Sequence, residues 1–291
     1  PCSPMASARS ASRRSIPSST AVVADPAPPR VGFTVGAALA LVFWAALACS
    51  PGTDDVRPQG GGPEATTLTV SAAASLTDAF QELGVAYQAL HPGVEVTLNL
   101  GGSAALGAQI REGAPVDVFA AADPKHLDEL GPELAAPGEI FATNRLRIAV
   151  PAGNPGAVAG LADLSREELV IGLCAPGVPC GELARDALAR AGIVPRPDTE
   201  EPNARALLTK VRLGEVDAGL VYVSDVLAGG PEVQGVDVRE EWNPEASYAV
   251  AALERASDPE EAARFIAFVL SPEAEPILTR HGFGPVPGRG S

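Results

Sequence analysis

Short apolar strands that run directly into helices recur along this chain, and four of these junctions carry a small or hydroxyl residue. They are Ser75 in SAAASLTDAF, Ser103 in NLGGSAALG, Cys180 in VPCGELA and Ala204 in EPNARALL. The first turn of a helix has backbone N–H groups without intrahelical partners and lies at the positive end of the helix dipole. Several helix starts that converge on one point can bind an anion without a charged side chain. The pattern therefore predicts a cage for a tetrahedral oxyanion.

From Thr67 onward, short β-branched runs alternate with helical stretches, which is typical of an α/β fold. A strand is predicted over residues 68–72, followed by a helix in which the Ser75 hydroxyl and the Asp78 carboxylate form a capping box. Asp117, inside an apolar strand, is interpreted as capping a backbone group. Of two terminal helices, the first is predicted to be capped by Ser257. Other strands are predicted over 94–100, 116–121, 146–150, 170–173, 218–223 and 248–253, and other helices over 182–190 and 204–213.

The N-terminal segment has the features of an export signal. Residues 31–48 are apolar throughout and follow several arginines. A short apolar run that ends in small residues is typical of a secretion signal rather than of a spanning helix. The sequence from Ala46 to Cys49 resembles the lipobox of bacterial lipoproteins, which predicts a signal sequence over 1–48 and lipid attachment at Cys49. The alternatives are an ordinary signal peptide cleaved near Ala48, or a retained anchor.

Residues 49–66 are dense in Gly, Pro and charge and have no apolar periodicity, which predicts a flexible tether. The chain carries 21 Lys and Arg against 36 Asp and Glu, a formal net charge of −15 at pH 7. This balance argues against nucleic acid as a partner, because phosphate contacts are made by lysine and arginine. Any anion site has to be built locally from dipoles.

Two cysteines, Cys174 and Cys180, remain in the predicted exported domain. A pair this close in an oxidising compartment predicts a disulfide that closes the loop between them. A metal site is the alternative, but two thiols without a nearby histidine fall short of the four ligands that zinc prefers. The histidines are scattered along the chain. Neither a free metal cation nor a cofactor is predicted.

Four segments in a fixed order carry a family resemblance: AAASLTDAF, GGSAALGAQIREGAPVDVFAAAD, VPCGELARDAL and GEVDAGLVYVSDV. Together they resemble the molybdate-binding proteins of bacterial ABC uptake systems, a branch of the type II periplasmic binding fold. The similarity covers roughly residues 67–284. It implies two α/β lobes around a ligand cleft, joined by two hinge crossings near 144–150 and 247–250. Residues 67–144 and 250–291 would form lobe 1, and residues 145–249 lobe 2.

The resemblance also implies a ligand shell. The two serines of the family fall on Ser75 and Ser103, each with a hydroxyl and a backbone N–H. Two backbone donors fall on Cys180 and Ala204, where alanine and valine are commoner, and a tyrosine hydroxyl falls on Tyr222. The implied function is a monomeric extracytoplasmic protein that captures molybdate and tungstate for an ABC transporter permease. Its implied location is the outer face of the cytoplasmic membrane, as a lipoprotein, or the periplasm.

Three other functions were weighed against this one. A protein of the same fold could bind sulfate or a small organic anion. Binders of organic acids usually grip the carboxylate with an arginine fork, but Arg205, beside the predicted shell, is predicted to point away from its helix start. The effector domain of a transcription regulator shares the architecture but does not need an export signal. An enzyme is not predicted, because the sequence contains neither a Gly-x-Ser-x-Gly elbow, nor a GxxxxGK[ST] loop, nor an HExxH motif.

Overall fold

The computed structural model describes residues 66–288. The predicted signal sequence, Cys49 and nearly all of the predicted tether lie outside the described residues. Within residues 66–288, no helix combines the length and the apolar character that a membrane span requires. The described residues all belong to one compact unit.

Strands and helices alternate along the chain, as the sequence predicts for an α/β fold. The helix predicted over 204–213 has those bounds, whereas the strand predicted over 146–150 begins seven residues earlier. The strands are β1 (Thr66–Ala73), β2 (Val94–Gly101), β3 (Val118–Ala121), β4 (Glu139–Pro151), β5 (Ile171–Cys174), β6 (Thr199–Glu201), β7 (Ala218–Tyr222), β8 (Val233–Asp237) and β9 (Glu245–Ala252). The helices are α1 (Thr77–Leu90), α2 (Ser103–Arg111), α3 (Lys125–Asp128), α4 (Pro179–Arg190), α5 (Ala204–Leu213), α6 (Val223–Ala228), α7 (Pro259–Val269) and α8 (Glu275–Arg280).

The strands form one path in the order β2-β1-β3-β9-β4-β7-β5-β6, with β8 paired to β4. We call β1, β2 and β3 the first sheet region and β5, β6, β7 and β8 the second sheet region. The long strand β4 joins them, because its residues 139–145 pair with β9 and its residues 146–149 pair with β7. The other edge of β9 pairs with β3. Two antiparallel strands therefore connect two regions that are otherwise built on parallel pairs. The lobe limits derived from the sequence stay a prediction.

Helix α1 shows how the apolar pattern builds the core. Its apolar positions Phe80, Leu83 and Tyr87, which recur at helical spacing, are buried against β1, where Leu68 is also buried. Leu90 continues the same pattern but is 62% exposed, because the helix ends there. The periodicity therefore identified the buried face of the helix, although not its last residue.

The capping box predicted at Ser75 is wrong. Ser75 lies in a 3-10 helix, Ala74–Leu76, and α1 begins after Leu76 without a side-chain cap. The Ser75 hydroxyl lies 2.9 Å from the Tyr248 hydroxyl, and the Asp78 carboxylate accepts a hydrogen bond of 2.7 Å from Arg205. Both groups of the predicted box thus have distant partners in place of local ones.

The cap predicted for α7 is also wrong by one residue. Asp258 caps this helix by accepting the Glu261 N–H at 2.9 Å. The Ser257 hydroxyl instead donates to the Asp117 carboxylate at 2.8 Å. The other oxygen of Asp117 accepts the Thr69 N–H at 2.7 Å, which confirms that Asp117 binds a backbone group.

Candidate functional site

One small cavity is lined by all five residues of the predicted shell, Ser75, Ser103, Cys180, Ala204 and Tyr222. Its volume for the centre of a water molecule is about 20 Å³. On this measure a single water needs about 10–15 Å³, so the cavity suits a compact ion rather than an extended molecule. The side chains that line it carry no charge. The remaining lining residues are Ala73, Ala74, Gly102, Ala122, Val178, Pro179, Pro202 and Asn203.

Each of the five residues lies where a strand ends. Ser75 follows β1, and Ser103 is the first residue of α2 after β2. Cys180 lies in the first turn of α4 after β5, Ala204 is the first residue of α5 after β6, and Tyr222 ends β7. The first sheet region thus supplies two of them and the second sheet region three. Ligand sites in open α/β sheets lie at the carboxyl ends of strands, and this cavity has that position.

The hydroxyl groups of both serines are held by neighbours. Ser103 is buried, and its Oγ accepts the Ala122 N–H at 3.1 Å, so its own O–H remains able to donate. The Ser75 Oγ and the Tyr248 Oη lie 2.9 Å apart, and either can be the donor. When Tyr248 donates to Ser75, the Ser75 hydroxyl proton is free to point into the cavity.

The Tyr222 hydroxyl is buried and makes no hydrogen bond of normal geometry among residues 66–288. Burial raises the pKa of Tyr222 well above its usual value, and the nearby Tyr248 hydroxyl contributes to the rise. Burial likewise raises the pKa of Tyr248, whose ring lies 5.8 Å from that of Tyr222. Both phenols therefore keep their protons at neutral pH. A buried donor without a partner is costly, and an acceptor in the cavity would satisfy it.

The two cysteines form a disulfide between the end of β5 and the first turn of α4, with their Cα atoms 5.7 Å apart. The bond connects the strand to the helix start that presents the Cys180 N–H. A Cβ on Gly181 would lie 2.0 Å from the Ala175 carbonyl oxygen, so the next position has room only for glycine. Among the described residues, no group of three or more His, Cys, Asp and Glu is placed to hold a metal ion.

Arg205 does not line the cavity and meets two carboxylates. It donates to Asp78 at 2.7 Å, and its Nε lies 3.8 Å from the Oδ1 of Asp225. Asp225 is fully buried and accepts the Tyr222 N–H at 3.2 Å. Burial raises the pKa of Asp225 to about 6, although Arg205 and the Tyr222 N–H both lower it. A titratable group therefore lies directly behind the cavity.

Asp225→Asn is expected to change the pH dependence of stability. Because the pKa of Asp225 is raised from 3.8 to about 6, the folded protein holds a proton between these values that the unfolded chain has lost. The free energy of unfolding of the native protein should therefore fall as pH rises from 4 to 7, by about 2–3 kcal/mol from this group. Urea unfolding across this range should show that the free energy of unfolding of the native protein, taken relative to that of the variant, falls by this amount. Asp186→Asn, at an exposed carboxylate, is the control, and parallel profiles for native protein and Asp225→Asn would contradict the assignment.

The fold and the site together define a class of protein. Two α/β regions, joined by two strands around a small cavity of neutral donors, form a binding protein of the periplasmic type. Residues 68–284 match the model of a family described as bacterial extracellular solute-binding protein. The chain belongs to this family.

Three known proteins illustrate the relationship. The molybdate-binding protein ModA of Mycobacterium tuberculosis H37Rv is 37% identical over 255 residues, which cover 87% of this chain and 98% of that protein. The ModA of Escherichia coli K12 is 29% identical over 231 residues, which cover 74% and 88%. The structure of the periplasmic molybdate-binding protein of Azotobacter vinelandii matches with a TM-score of 0.65 at 20% identity, over 74% of this chain and 98% of that one.

These matches confirm two predictions from the sequence. The family resemblance is confirmed by the family match and the M. tuberculosis relative, and the two-lobed α/β binding fold by the family and the A. vinelandii structure. The relatives are solute-binding proteins rather than enzymes. The sequence did not identify Tyr248, which contacts the Ser75 hydroxyl from 173 positions away, or the pairing of Asp78 with Arg205 beside the cavity, which spans 127 positions.

Proposed function

We propose that this protein captures molybdate, and also tungstate, outside the cytoplasm and delivers it to the permease of an ABC transporter. The observation that carries the proposal is the meeting of five predicted donor positions around one uncharged cavity of ionic size. The molybdate-binding relatives support the same ligand. The role is binding and delivery, without catalysis or a cofactor.

The donors suit an anion with two negative charges. Removing such an ion from water costs a large hydration energy, which only a full set of oriented donors can offset. Ser75, Ser103 and Tyr222 offer hydroxyl groups, and the helix starts at Ser103, Cys180 and Ala204 offer backbone N–H groups. Because these donors carry no full charge, the ion can still be released to a transporter.

Neutral donors also determine which anion binds. A fully deprotonated tetrahedral ion accepts from every donor, whereas a protonated phosphate brings a proton that meets no acceptor. Sulfate has the right protonation state and is rejected only because it is smaller. A small organic anion is disfavoured, since the cavity is small and Arg205 is engaged by Asp78 and Asp225 outside it.

We infer that binding closes the two sheet regions on the ion. Ser75 and Ser103 come from the first sheet region, and Cys180, Ala204 and Tyr222 come from the second. Full coordination therefore requires both regions to meet, as in other hinged binders. The closed monomer then docks on the permease, held near the membrane by the lipid proposed at Cys49.

Isothermal titration calorimetry with molybdate, tungstate, sulfate and phosphate tests the proposal. Tight one-to-one binding is expected for molybdate and tungstate, with little heat from sulfate and phosphate. Equal binding of sulfate would overturn the size argument. The absence of heat with all four ions would reject an inorganic oxyanion as the ligand.

Ser103→Ala is expected to weaken molybdate binding about tenfold to a hundredfold. The change removes a hydrogen bond to a charged acceptor, which is worth about 1.5–3 kcal/mol. Calorimetry measures the affinity, and a melting curve checks the fold, because the Ala122 N–H also loses its acceptor. Ser165→Ala, at an exposed serine, is the control. Unchanged affinity would remove Ser103 from the proposed shell.

A further inference from the structure

An ion pair links the two sheet regions beside the cavity. Arg205 is the second residue of α5, next to Ala204, and Asp78 is in the first turn of α1, three residues after Ser75. The Arg205 Nη2 and the Asp78 Oδ2 lie 2.7 Å apart. The pair therefore connects the start of α1, which follows Ser75, to the start of α5, which carries Ala204.

Asp225 completes this arrangement from within the second sheet region. It lies three residues after Tyr222 and accepts the backbone N–H of that residue at 3.2 Å. Its Oδ1 and the Arg205 Nε are both buried, lack hydrogen-bond partners within the described chain and lie 3.8 Å apart. Asp225 thus attracts Arg205 by charge, without a hydrogen bond. The terminal nitrogens of Arg205 remain free to reach Asp78.

We propose that Arg205 is a positioning residue that holds the closed cavity together, through Asp78 across the cleft and Asp225 behind it. The inference rests on the proposed function and adds the group that controls release of the ion. Arg205 contacts the elements that present three of the five shell residues, Ser75, Ala204 and Tyr222, but does not line the cavity. It would therefore stabilise the bound form without lending its charge to ion selection.

The two carboxylates respond differently when the cleft opens. Asp225 on α6 and Arg205 on α5 follow strands of the second sheet region and stay together, whereas Asp78 on α1 follows β1 and moves away with the first sheet region. Opening therefore breaks the pair between Arg205 and Asp78 and keeps the pair between Arg205 and Asp225. Other arginine pairs, such as Arg212 with Glu232, lie within one region and are kept in both forms.

The size of the effect follows from exposure. The side chains of Arg205 and Asp78 are 26% and 42% exposed, so solvent screens their attraction. Partly exposed pairs contribute little alone and more when a neighbouring charge fixes one partner. We expect loss of the pair to raise the dissociation rate constant of molybdate about threefold to tenfold, with the association rate constant nearly unchanged.

The test is a double-mutant cycle of Arg205→Met and Asp78→Asn on the full exported chain, with stopped-flow measurement of molybdate association and dissociation. Each single variant should dissociate faster by the stated factor, and the double variant no faster than Arg205→Met, because Arg205→Met already removes the pair with Asp78. Arg205→Lys should recover part of the slow dissociation. Arg212→Met is the control on the same helix. The proposal would be overturned if the dissociation rate constant of Arg205→Met lay within twofold of that of the control. It would also be overturned if the effects of the two substitutions simply added in the double variant.

Hydrogen exchange without added ion separates this inference from the proposed function. Peptides that cover 73–79 and 203–208 should exchange faster in Arg205→Met and Asp78→Asn than in Arg212→Met, since the helix starts separate more often. If the native protein binds no molybdate, the proposed function fails and the exchange rates alone decide on the ion pair. If molybdate binds but exchange in both segments matches the control, the ion pair is rejected and the proposed function stands. Urea unfolding of each variant confirms that it folds.

Discussion

Gly102→Ala is expected to weaken molybdate binding about tenfold to a hundredfold and to leave the ligand-free protein folded. A Cβ on Gly102 would lie 2.7 Å from the carbonyl oxygen of Pro202, well inside ordinary contact distance. Gly102 precedes α2 in the first sheet region, and Pro202 precedes α5 in the second. The added methyl group would therefore hold the two sides of the cavity apart. Overpacking of this kind costs about 1–3 kcal/mol.

Backbone strain does not complicate this prediction. Gly102 has φ −67° and ψ 135°, which alanine adopts readily, so the contact with Pro202 accounts for the whole effect. In the open protein the two residues can separate, and the melting temperature without ligand should hardly change. Gly107→Ala on the same helix is the control, because its Cβ would meet only the end of the Arg111 side chain at 3.7 Å. Native affinity in Gly102→Ala would contradict the closed arrangement.

Tyr222→Phe is expected to have opposite effects on affinity and stability. The Tyr222 hydroxyl has no hydrogen bond of normal geometry within residues 66–288, so its removal should leave the free energy of unfolding of the ligand-free protein unchanged or raise it. In the bound protein the same change removes a donor to a charged acceptor, and affinity should fall about tenfold to a hundredfold. Calorimetry and urea unfolding measure the two quantities.

Tyr87→Phe is the matched control for this change. Tyr87 is also a buried tyrosine, but its hydroxyl donates to Glu261 on α7. Its removal should lower stability and leave the affinity for molybdate unchanged. If Tyr222→Phe instead lowers stability and retains native affinity, the Tyr222 hydroxyl has a structural partner and is not a ligand.

Local sequence predicted the elements that bury a clear apolar pattern. The buried face of α1 and the bounds of α5 follow from periodicity, because these helices pack one side against a sheet. Strands β6 and β8 were missed, since the polar sequence TEE and the short VQGVD carry no regular alternation. Both form strands because their backbone groups pair with a neighbouring strand, β6 with β5 and β8 with β4.

The site was predictable to the extent that family motifs mark it. Ser75, Ser103, Cys180, Ala204 and Tyr222 were named before the structure, and the cavity includes all five. Their contact with a ligand stays a prediction, as do the lobe limits and lipidation at Cys49.

The sequence alone therefore determined the alternation of most strands and helices, the family and the residues at the strand ends around the cavity, because these depend on local pattern and motif. Only the tertiary structure decided the partners of the side chains. Ser75 and Asp78 could have capped their own helix, but Tyr248 and Arg205 take them instead, from 173 and 127 residues away. Such contacts form only when the connecting strands bring both sheet regions together, and a linear sequence contains no measure of that distance.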